Sequence, residues 1–202
     1  SIKIDQKWQV VQLESLTERI TKGTTPTTVG FKFEESGVAF IKIESITEDG
    51  RFLVDKLAHV SKECHQALKR SQLQENDILF SIAGAFGRVA IVDASVLPAN
   101  TNQALSIITL KKDAGISKDY LFSVLKSDYI SEQTKRLITG VAQFNLSLGQ
   151  VGSLKIPLPP IAVQEKIVLT TREEQRHIES AERMIEIYEE KIKSKIAEVW
   201  GE

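Results

Sequence analysis

The stretch IPLPPIAVQEKI, Ile156–Ile167, decides the architecture, because three prolines within four residues are followed at once by helix-forming residues. Proline fixes φ and disfavours helical geometry in the residue before it, so Pro157–Pro160 is predicted to be extended and stiff. After these prolines the sequence has no further proline, and its only glycine is Gly201. The sequence therefore predicts a globular domain over residues 1–157 and a long helix over residues 158–202.

The predicted helix carries a heptad pattern of apolar or small residues. The seam positions follow steps of three and four residues, with a last step of seven, and are Ile178, Ala181, Ile185, Tyr188, Ile192 and Val199. This spacing is typical of a coiled coil, although Lys195 interrupts it. Upstream, the same register passes through Glu174 and Thr171, so the seam is weak there. A helix of about 38 residues would be roughly 57 Å long, too long to lie on its own domain. We expect it to project and to form a homodimer; an amphipathic helix folded back on the domain is the alternative.

Charge and composition restrict the class of protein. The chain of 202 residues has a net charge of −1, which divides into 19 basic and 17 acidic residues up to Pro160 and 7 basic and 10 acidic residues after it. A slightly basic domain is compatible with a local DNA-binding patch. One cysteine excludes an internal disulfide and fits a cytoplasmic setting. No apolar run approaches the roughly 18 residues of a membrane helix. Because the sequence opens on Ser1, we expect a processed, tagged or excised chain.

Strand and helix signals mix along the domain and predict an α+β fold with a twisted, mostly antiparallel or mixed sheet. Strands are predicted at Trp8–Val11 and in the segments GVAFIKI, DILFSI, RVAIV and QALSIITLK. A glycine-bearing turn, Gly84–Gly87, joins two of them. A helical turn is predicted over Leu13–Ile20, a short helix capped by Ser61, and one continuous helix over Ser117–Ile138.

Four segments, in this order, resemble the target recognition domain of specificity subunits in type I restriction–modification systems. They are the opening WQVVQLESLTERITKGTTP, the hairpin ENDILFSIAGAFGRVAIV, the closing GVAQFNLSLGQVGSLKIPLPP, and IPLPPIAVQEKI with the long helix behind it. Together they are spread along nearly the whole chain. The resemblance implies a domain that reads one half of a split DNA sequence. It also implies a helix that acts as a spacer and docks methyltransferase subunits, with restriction subunits as a further candidate partner.

Members of this family usually hold two such domains and two antiparallel helices in one chain, whereas this sequence has one of each. It therefore resembles a half-subunit that must dimerise to rebuild the whole. An excised domain and the recognition end of a fused methyltransferase are the alternatives.

Candidate DNA contacts lie in four loops rich in cations, amides, hydroxyls and glycine. Lysine, small hydroxyls and backbone N–H groups suit phosphate, arginine suits guanine, and amides suit adenine. The candidates are Lys22, Gly23, Thr24 and Thr25; Ser81, Gly84 and Arg88; Asn102 and Gln103 in the segment Asn100–Gln103; and Gln143 and Asn145. The alternative for each loop is an ordinary surface connection.

Motifs for catalysis are missing from the sequence. It has no Asn-Pro-Pro-Tyr or Asp-Pro-Pro-Tyr, no glycine-rich loop for S-adenosylmethionine and no Walker A loop. The adjacent Cys64 and His65 would point in different directions on a helix, and three scattered histidines lack metal-ligand spacing. We therefore expect no cofactor, no metal and no enzyme activity. A small metal-dependent nuclease, for which Glu189–Lys191 offers a fragment of a motif, and a pure assembly module are the rival interpretations.

Overall fold

The computed structural model describes residues 7–138 and 145–200 and confirms a mixed α and β architecture with a long C-terminal helix. The strands are β1 Gln9–Gln12, β2 Thr17–Lys22, β3 Val38–Ile41, β4 Ala58–Val60, β5 Ile78–Ser81, β6 Val89–Ile91, β7 Ala99–Thr101, β8 Leu105–Leu110 and β9 Lys155–Leu158. The α-helices are α1 Leu13–Leu16, α2 Lys62–Ala67, α3 Lys118–Lys126, α4 Asp128–Ile138, α5 Leu148–Gly152 and α6 Ile161–Trp200.

A four-stranded antiparallel sheet, ordered β2-β8-β5-β6, lies at the centre of the domain. Its two faces are both buried. Ile78 and Phe80 of β5 pack with the helices on one face, whereas Leu79 packs with the second sheet on the other. A strand covered on both faces has no polar side, which explains why the segment DILFSI is apolar without alternation.

Two smaller sheets complete the domain. In the sheet β4-β3-β7, β3 pairs antiparallel with β4 and parallel with β7, so the sheets are antiparallel and mixed as the sequence predicts. In the other, β1 pairs with β9, and Val10 lies opposite Pro157. This pair ties the start of the domain to its end, directly before α6.

Two helix predictions are wrong in their bounds. The turn predicted over Leu13–Ile20 is helical only to Leu16, because Thr17–Lys22 pairs with β8 as a strand. The single helix predicted over Ser117–Ile138 is two helices, since Ser127 is extended at ψ 157° and its hydroxyl donates to the carbonyl of Val124. Tertiary pairing and packing override local propensity at both places.

The proline segment is extended, as predicted, and its end fixes the direction of α6. The carbonyl of Pro160 accepts from the backbone N–H groups of Val163 (2.8 Å) and Gln164 (3.1 Å) and so starts the helix. The fully buried Gln164 amide accepts from the N–H of Ser117 (2.9 Å) and donates to the carbonyls of Gly115 (2.8 Å) and Pro159 (2.9 Å). One side chain therefore joins the helix, the proline turn and the loop before α3.

A tyrosine supports the same joint from α3. The hydroxyl of the buried Tyr120 donates to the carbonyl of Pro157 at 3.0 Å. Burial removes the phenol from water and raises its pKa to about 12, so the hydroxyl stays a donor across the physiological range.

Beyond its base, α6 leaves the domain. Val168 is buried, and Arg172 forms a 2.7 Å ion pair with Asp119 of α3. The helix has 40 residues and is about 60 Å long. Its seam side chains Ile178, Ile185, Tyr188, Ile192 and Val199 are 51% to 79% exposed, and Ala181 is exposed too. No helix in the described part is long and apolar enough to cross a membrane.

Candidate nucleic-acid interface

Strand order brings the predicted loops together at one edge of the central sheet. Neighbouring strands run antiparallel, so the end of β2 at Lys22, the start of β8 at Leu105, the end of β5 at Ser81 and the start of β6 at Val89 lie at the same edge. We call the loops that leave the strands there, residues 22–28, 82–88 and 102–104, together with residues 145–147, the loop edge.

The loops 22–28 and 102–104 form one unit. The N–H of Gly23 donates to the carbonyl of Asn102 at 3.2 Å, and the hydroxyl of Thr25 donates to the side-chain carbonyl of Gln103 at 2.5 Å. The Asn102 carboxamide oxygen accepts from the N–H of Ala104 at 3.0 Å and shapes its own turn. Lys22 is exposed, and Thr24 and Thr25 are half-buried. A cation, hydroxyls and an exposed amide thus face solvent together.

Gly23 lies buried beneath these two loops and allows their backbones to approach each other. It is buried, and a Cβ placed on it would lie 1.8 Å from the carbonyl oxygen of Thr101. Only glycine therefore allows the two loops to approach this closely.

The hairpin between β5 and β6 forms another part of the loop edge. Gly84 (φ 73°) and Gly87 (φ 85°) adopt the left-handed conformation that the turn requires. Ser81 is fully buried, and its hydroxyl accepts from the N–H of Arg88 at 3.0 Å, so it closes the hairpin from the inside. Phe86 lies exposed between the two glycines. Sequence reasoning missed Phe86, although an aromatic residue between turn glycines is a usable signal of an exposed ring.

Arg88 is held at the base of this hairpin. Its guanidinium donates to the carbonyl of Ile46 and lies 3.5 Å from a carboxylate oxygen of Glu48, whose side chain is 91% exposed. An exposed pair of this kind contributes about 0–1 kcal/mol, so a phosphate or a guanine could replace Glu48 at little cost. The loop that supplies Ile46 and Glu48 was not predicted as part of the site.

The closing segment also reaches the loop edge. Asn145 is exposed and pairs with Ala83 in an isolated bridge, and the N–H of Leu146 donates to the carbonyl of Ile82 at 2.8 Å. Gln143, the other candidate from this segment, lies outside the described residues and stays a prediction.

Asn100, in the segment predicted to offer amides to DNA, is fully buried. Its amide donates to the hydroxyl of Ser71 (2.9 Å) and the carbonyl of Leu68 (3.2 Å), and its oxygen lies 2.5 Å from Nδ1 of His65. The segment therefore presents only Asn102 and Gln103 at the surface. Cys64 is buried as well, and its burial raises the thiol pKa, which disfavours the nucleophilic thiolate.

Acidic groups with unusual surroundings lie away from the loop edge. At the opposite edge of the sheet, Asp77 accepts from Arg19 (3.0 Å) and from the hydroxyl of Thr109 (2.5 Å), and burial raises its pKa above the ordinary value. Within residues 7–138 and 145–200, no group of three His, Cys, Asp or Glu side chains could hold a metal ion. The described part therefore has cationic, hydroxyl and amide side chains at the loop edge, and a buried carboxylate at the opposite edge.

The chain is similar in sequence to proteins of one known family. The sequence model of a family described as the type I restriction modification DNA specificity domain matches residues 5–183. The chain belongs to this family. As a family member, it is 28% identical over 156 residues to the type I restriction enzyme EcoBI specificity subunit of Escherichia coli, which is 75% of this chain and 31% of that protein.

Two further proteins are similar to this specificity domain, one in sequence and one in fold. The type I restriction enzyme MjaVIII specificity subunit of Methanocaldococcus jannaschii is 24% identical over 200 residues, or 91% of this chain and 45% of that protein. The crystal structure of the HsdS subunit from Thermoanaerobacter tengcongensis has the same fold, with a TM-score of 0.68 and 18% identity over 91% of this chain and 46% of that one. The specificity domain thus spans less than half the length of these relatives.

Proposed function

We propose that this chain is the DNA-sequence-reading, non-catalytic part of a type I-like restriction–modification complex. The loop edge carries the proposal, because one rim of a rigid sheet presents Lys22, hydroxyls, amides and Arg88 together, and the relatives are named as specificity subunits. In this proposal residues 1–157 read DNA. Residues 158–202 hold the complex together and dock methyltransferase subunits, and restriction subunits would join through them.

Within the loop edge we assign two kinds of contact. Lys22, Thr24 and Thr25 would hold phosphates, which fixes the position of the domain on the duplex. Arg88, Gln103, Gln143 and Asn145 would face base edges, where guanidinium and amide groups discriminate between bases. Gly23 and Ser81 would act from inside, by keeping the loops in place. The site would lie in the cytoplasm, where the target DNA is.

We further propose that two copies pair through α6 in antiparallel orientation. Charge along the helix supports this direction: residues 173–190 contain seven glutamates and two arginines, whereas residues 191–195 contain three lysines and no acid. Antiparallel pairing brings the basic segment of each copy alongside the acidic segment of the other, and parallel pairing opposes like charges. A two-fold dimer of this kind would read a two-fold symmetric, interrupted DNA sequence.

Lys22→Ala should weaken binding to duplex DNA by a similar factor on every sequence and reduce the salt dependence of binding by roughly one counterion. The reason is that a phosphate contact carries no base preference. Titration by fluorescence anisotropy at several salt concentrations measures both quantities. Lys112→Ala is the matched control, because Lys112 is an exposed lysine beyond the opposite end of β8. Equal affinity and equal salt slopes for Lys22→Ala and the parent would remove Lys22 from the interface.

A further inference from the structure

The segment of residues 42–48 follows β3 and starts at the loop edge. β3 pairs in parallel with β7, and Ile41 lies opposite Thr101 at the ends of the two strands. The hydroxyl of Thr101 donates to the carbonyl of Ile41 at 2.8 Å. Lys42 therefore leaves its strand beside Asn102, which belongs to the loop edge.

The same segment ends at the hairpin between β5 and β6. The carbonyl of the fully buried Ile46 accepts from the guanidinium of Arg88. A carboxylate oxygen of Glu48 lies 3.5 Å from the same guanidinium. The segment thus runs along the loop edge from Asn102 to Arg88 and forms a further part of its surface.

The backbone that carries Glu48 is fixed, although the side chain is exposed. The N–H of Thr47 donates to the carbonyl of Arg51 at 2.9 Å, and the hydroxyl of Thr47 accepts from the N–H of Arg51 at 2.8 Å. A Cβ placed on Gly50, which has a φ of 92°, would lie 2.6 Å from the carbonyl oxygen of Val89. Glycine therefore allows this turn to pack closely against one strand of the hairpin.

Glu48 brings a carboxylate to a rim whose four defining loops contain no aspartate or glutamate. A carboxylate is repelled by phosphates, so it weakens binding to DNA unless a donor on the DNA pairs with it. In the major groove, the amino group N4 of cytosine is the donor with which carboxylates pair. The position of Glu48 is therefore compatible with DNA binding where a cytosine lies opposite it.

A G·C base pair offers partners for both side chains at a matching separation. Guanine presents the acceptors N7 and O6, which suit an arginine, and cytosine presents the donor N4, which suits a carboxylate. O6 and N4 are hydrogen-bonded to each other, so they lie about 2.9 Å apart. This separation is close to the 3.5 Å between Arg88 and Glu48. Both side chains can therefore bind one base pair without leaving each other.

The order of these groups distinguishes G·C from the other base pairs. Read from the guanine side, its major-groove edge shows an acceptor, a second acceptor and then a donor, and no other pair shows this order in the same orientation. An arginine reads the two acceptors. A carboxylate beside it adds the donor and so fixes which strand carries the guanine.

We propose that Arg88 and Glu48 together read one G·C base pair, with Arg88 on guanine and Glu48 on cytosine. This inference rests on the proposed DNA-reading function. It adds Glu48 as a specificity-determining residue of the loop edge and assigns a base pair to one position of the target.

A modified base tests the contact of Glu48. Selection of bound duplexes by the parent and by Arg88→Ala locates the position where base preference depends on Arg88, and this position should be a G·C pair. N4-methylcytosine is then placed there, because its methyl group replaces the N4 hydrogen that faces the major groove and leaves the hydrogen that pairs with guanine. Fluorescence anisotropy should show roughly 10-fold weaker binding of the parent to this duplex, as expected for a lost hydrogen bond to a charged group.

Variants of the chain complete the test. Glu48→Ala should bind the modified and the unmodified duplex with the same affinity, which should be weaker than that of the parent for the unmodified duplex. Glu44→Ala is the matched control, because it removes another exposed carboxylate from the same segment. It should discriminate between the two duplexes as the parent does.

The outcomes separate this inference from the proposed function. A parent that selects a sequence but binds both duplexes equally would overturn the reading by Glu48 and leave DNA recognition by the loop edge standing. So would a Glu48→Ala variant that discriminates like the parent, or a site in which no G·C preference depends on Arg88. A parent that selects no sequence would overturn the proposed function and this inference together. Discrimination that disappears in Glu48→Ala and persists in Glu44→Ala supports the inference.

Discussion

Replacing Ile185 and Ile192 with aspartate should convert the proposed dimer into a monomer. Both side chains lie in the middle of the seam and are more than half exposed in the single chain, so each is available for burial against a second helix. Burial of an isoleucine stabilises by about 1.5–3 kcal/mol, and the symmetric dimer loses four of them. The dissociation constant should therefore rise by at least roughly 10,000-fold, before the cost of burying the new carboxylates is counted.

Sedimentation of the double variant against the parent measures this change. Ile187→Asp is the control, because it places an aspartate on the opposite side of the helix turn that holds Ile185. Each of the three proteins should still show a cooperative unfolding transition of the domain, since α6 leaves the domain before the seam begins. A double variant that sediments as the same dimer as the parent would show that the seam is not the interface.

Gln164→Leu should lower the free energy of unfolding by about 1–3 kcal/mol. The substitution puts an apolar side chain of similar size in place of the amide, so the N–H of Ser117 and the carbonyls of Gly115 and Pro159 lose their partner, and of these three residues Pro159 is buried. Each buried polar group that loses its partner costs about 1–3 kcal/mol. The base of α6 should also detach more readily, because this amide joins the helix to the domain.

Urea unfolding of both variants measures the stability, and hydrogen exchange at residues 161–168 measures detachment of the helix base. Gln175→Leu makes the same change at an exposed position of the same helix and should leave both quantities near those of the parent. The comparison is best made in the Ile185→Asp, Ile192→Asp background, where dimerisation does not add to stability. A loss below 1 kcal/mol for Gln164→Leu would contradict the account of the joint.

The sequence predicted those features whose cause is local. Three prolines and a run without breakers predicted the extended segment and α6, and glycine spacing predicted the hairpin at Gly84–Gly87. The continuous apolar segment DILFSI predicted a strand, though it did not say that both faces would be covered. The predicted helix bounds were wrong at Thr17 and Ser127. Pairing with β8 makes the backbone extended at Thr17, and the packing of two separate helices makes it extended at Ser127.

The convergence of the loops could not be predicted, because it depends on strand order. The order β2-β8-β5-β6 joins strands that are far apart in the chain and brings Thr25 beside Gln103. A separate bridge between Ala83 and Asn145 brings the closing segment to the same edge. Residue type also misled at two positions. Asn100 has the chemistry of a base reader but is buried, and Gln164 looks like an ordinary helix residue but holds the joint.

We propose that the loop edge reads a DNA sequence and that each copy in the dimer reads one half of it. Selection of bound duplexes from a random pool by the purified chain, followed by sequencing, tests this most directly. The account predicts enrichment of an interrupted sequence with two-fold symmetry, and an Arg88→Ala variant should lose the base preference at one position in each half. Failure of the parent to enrich any sequence above the random pool would contradict it.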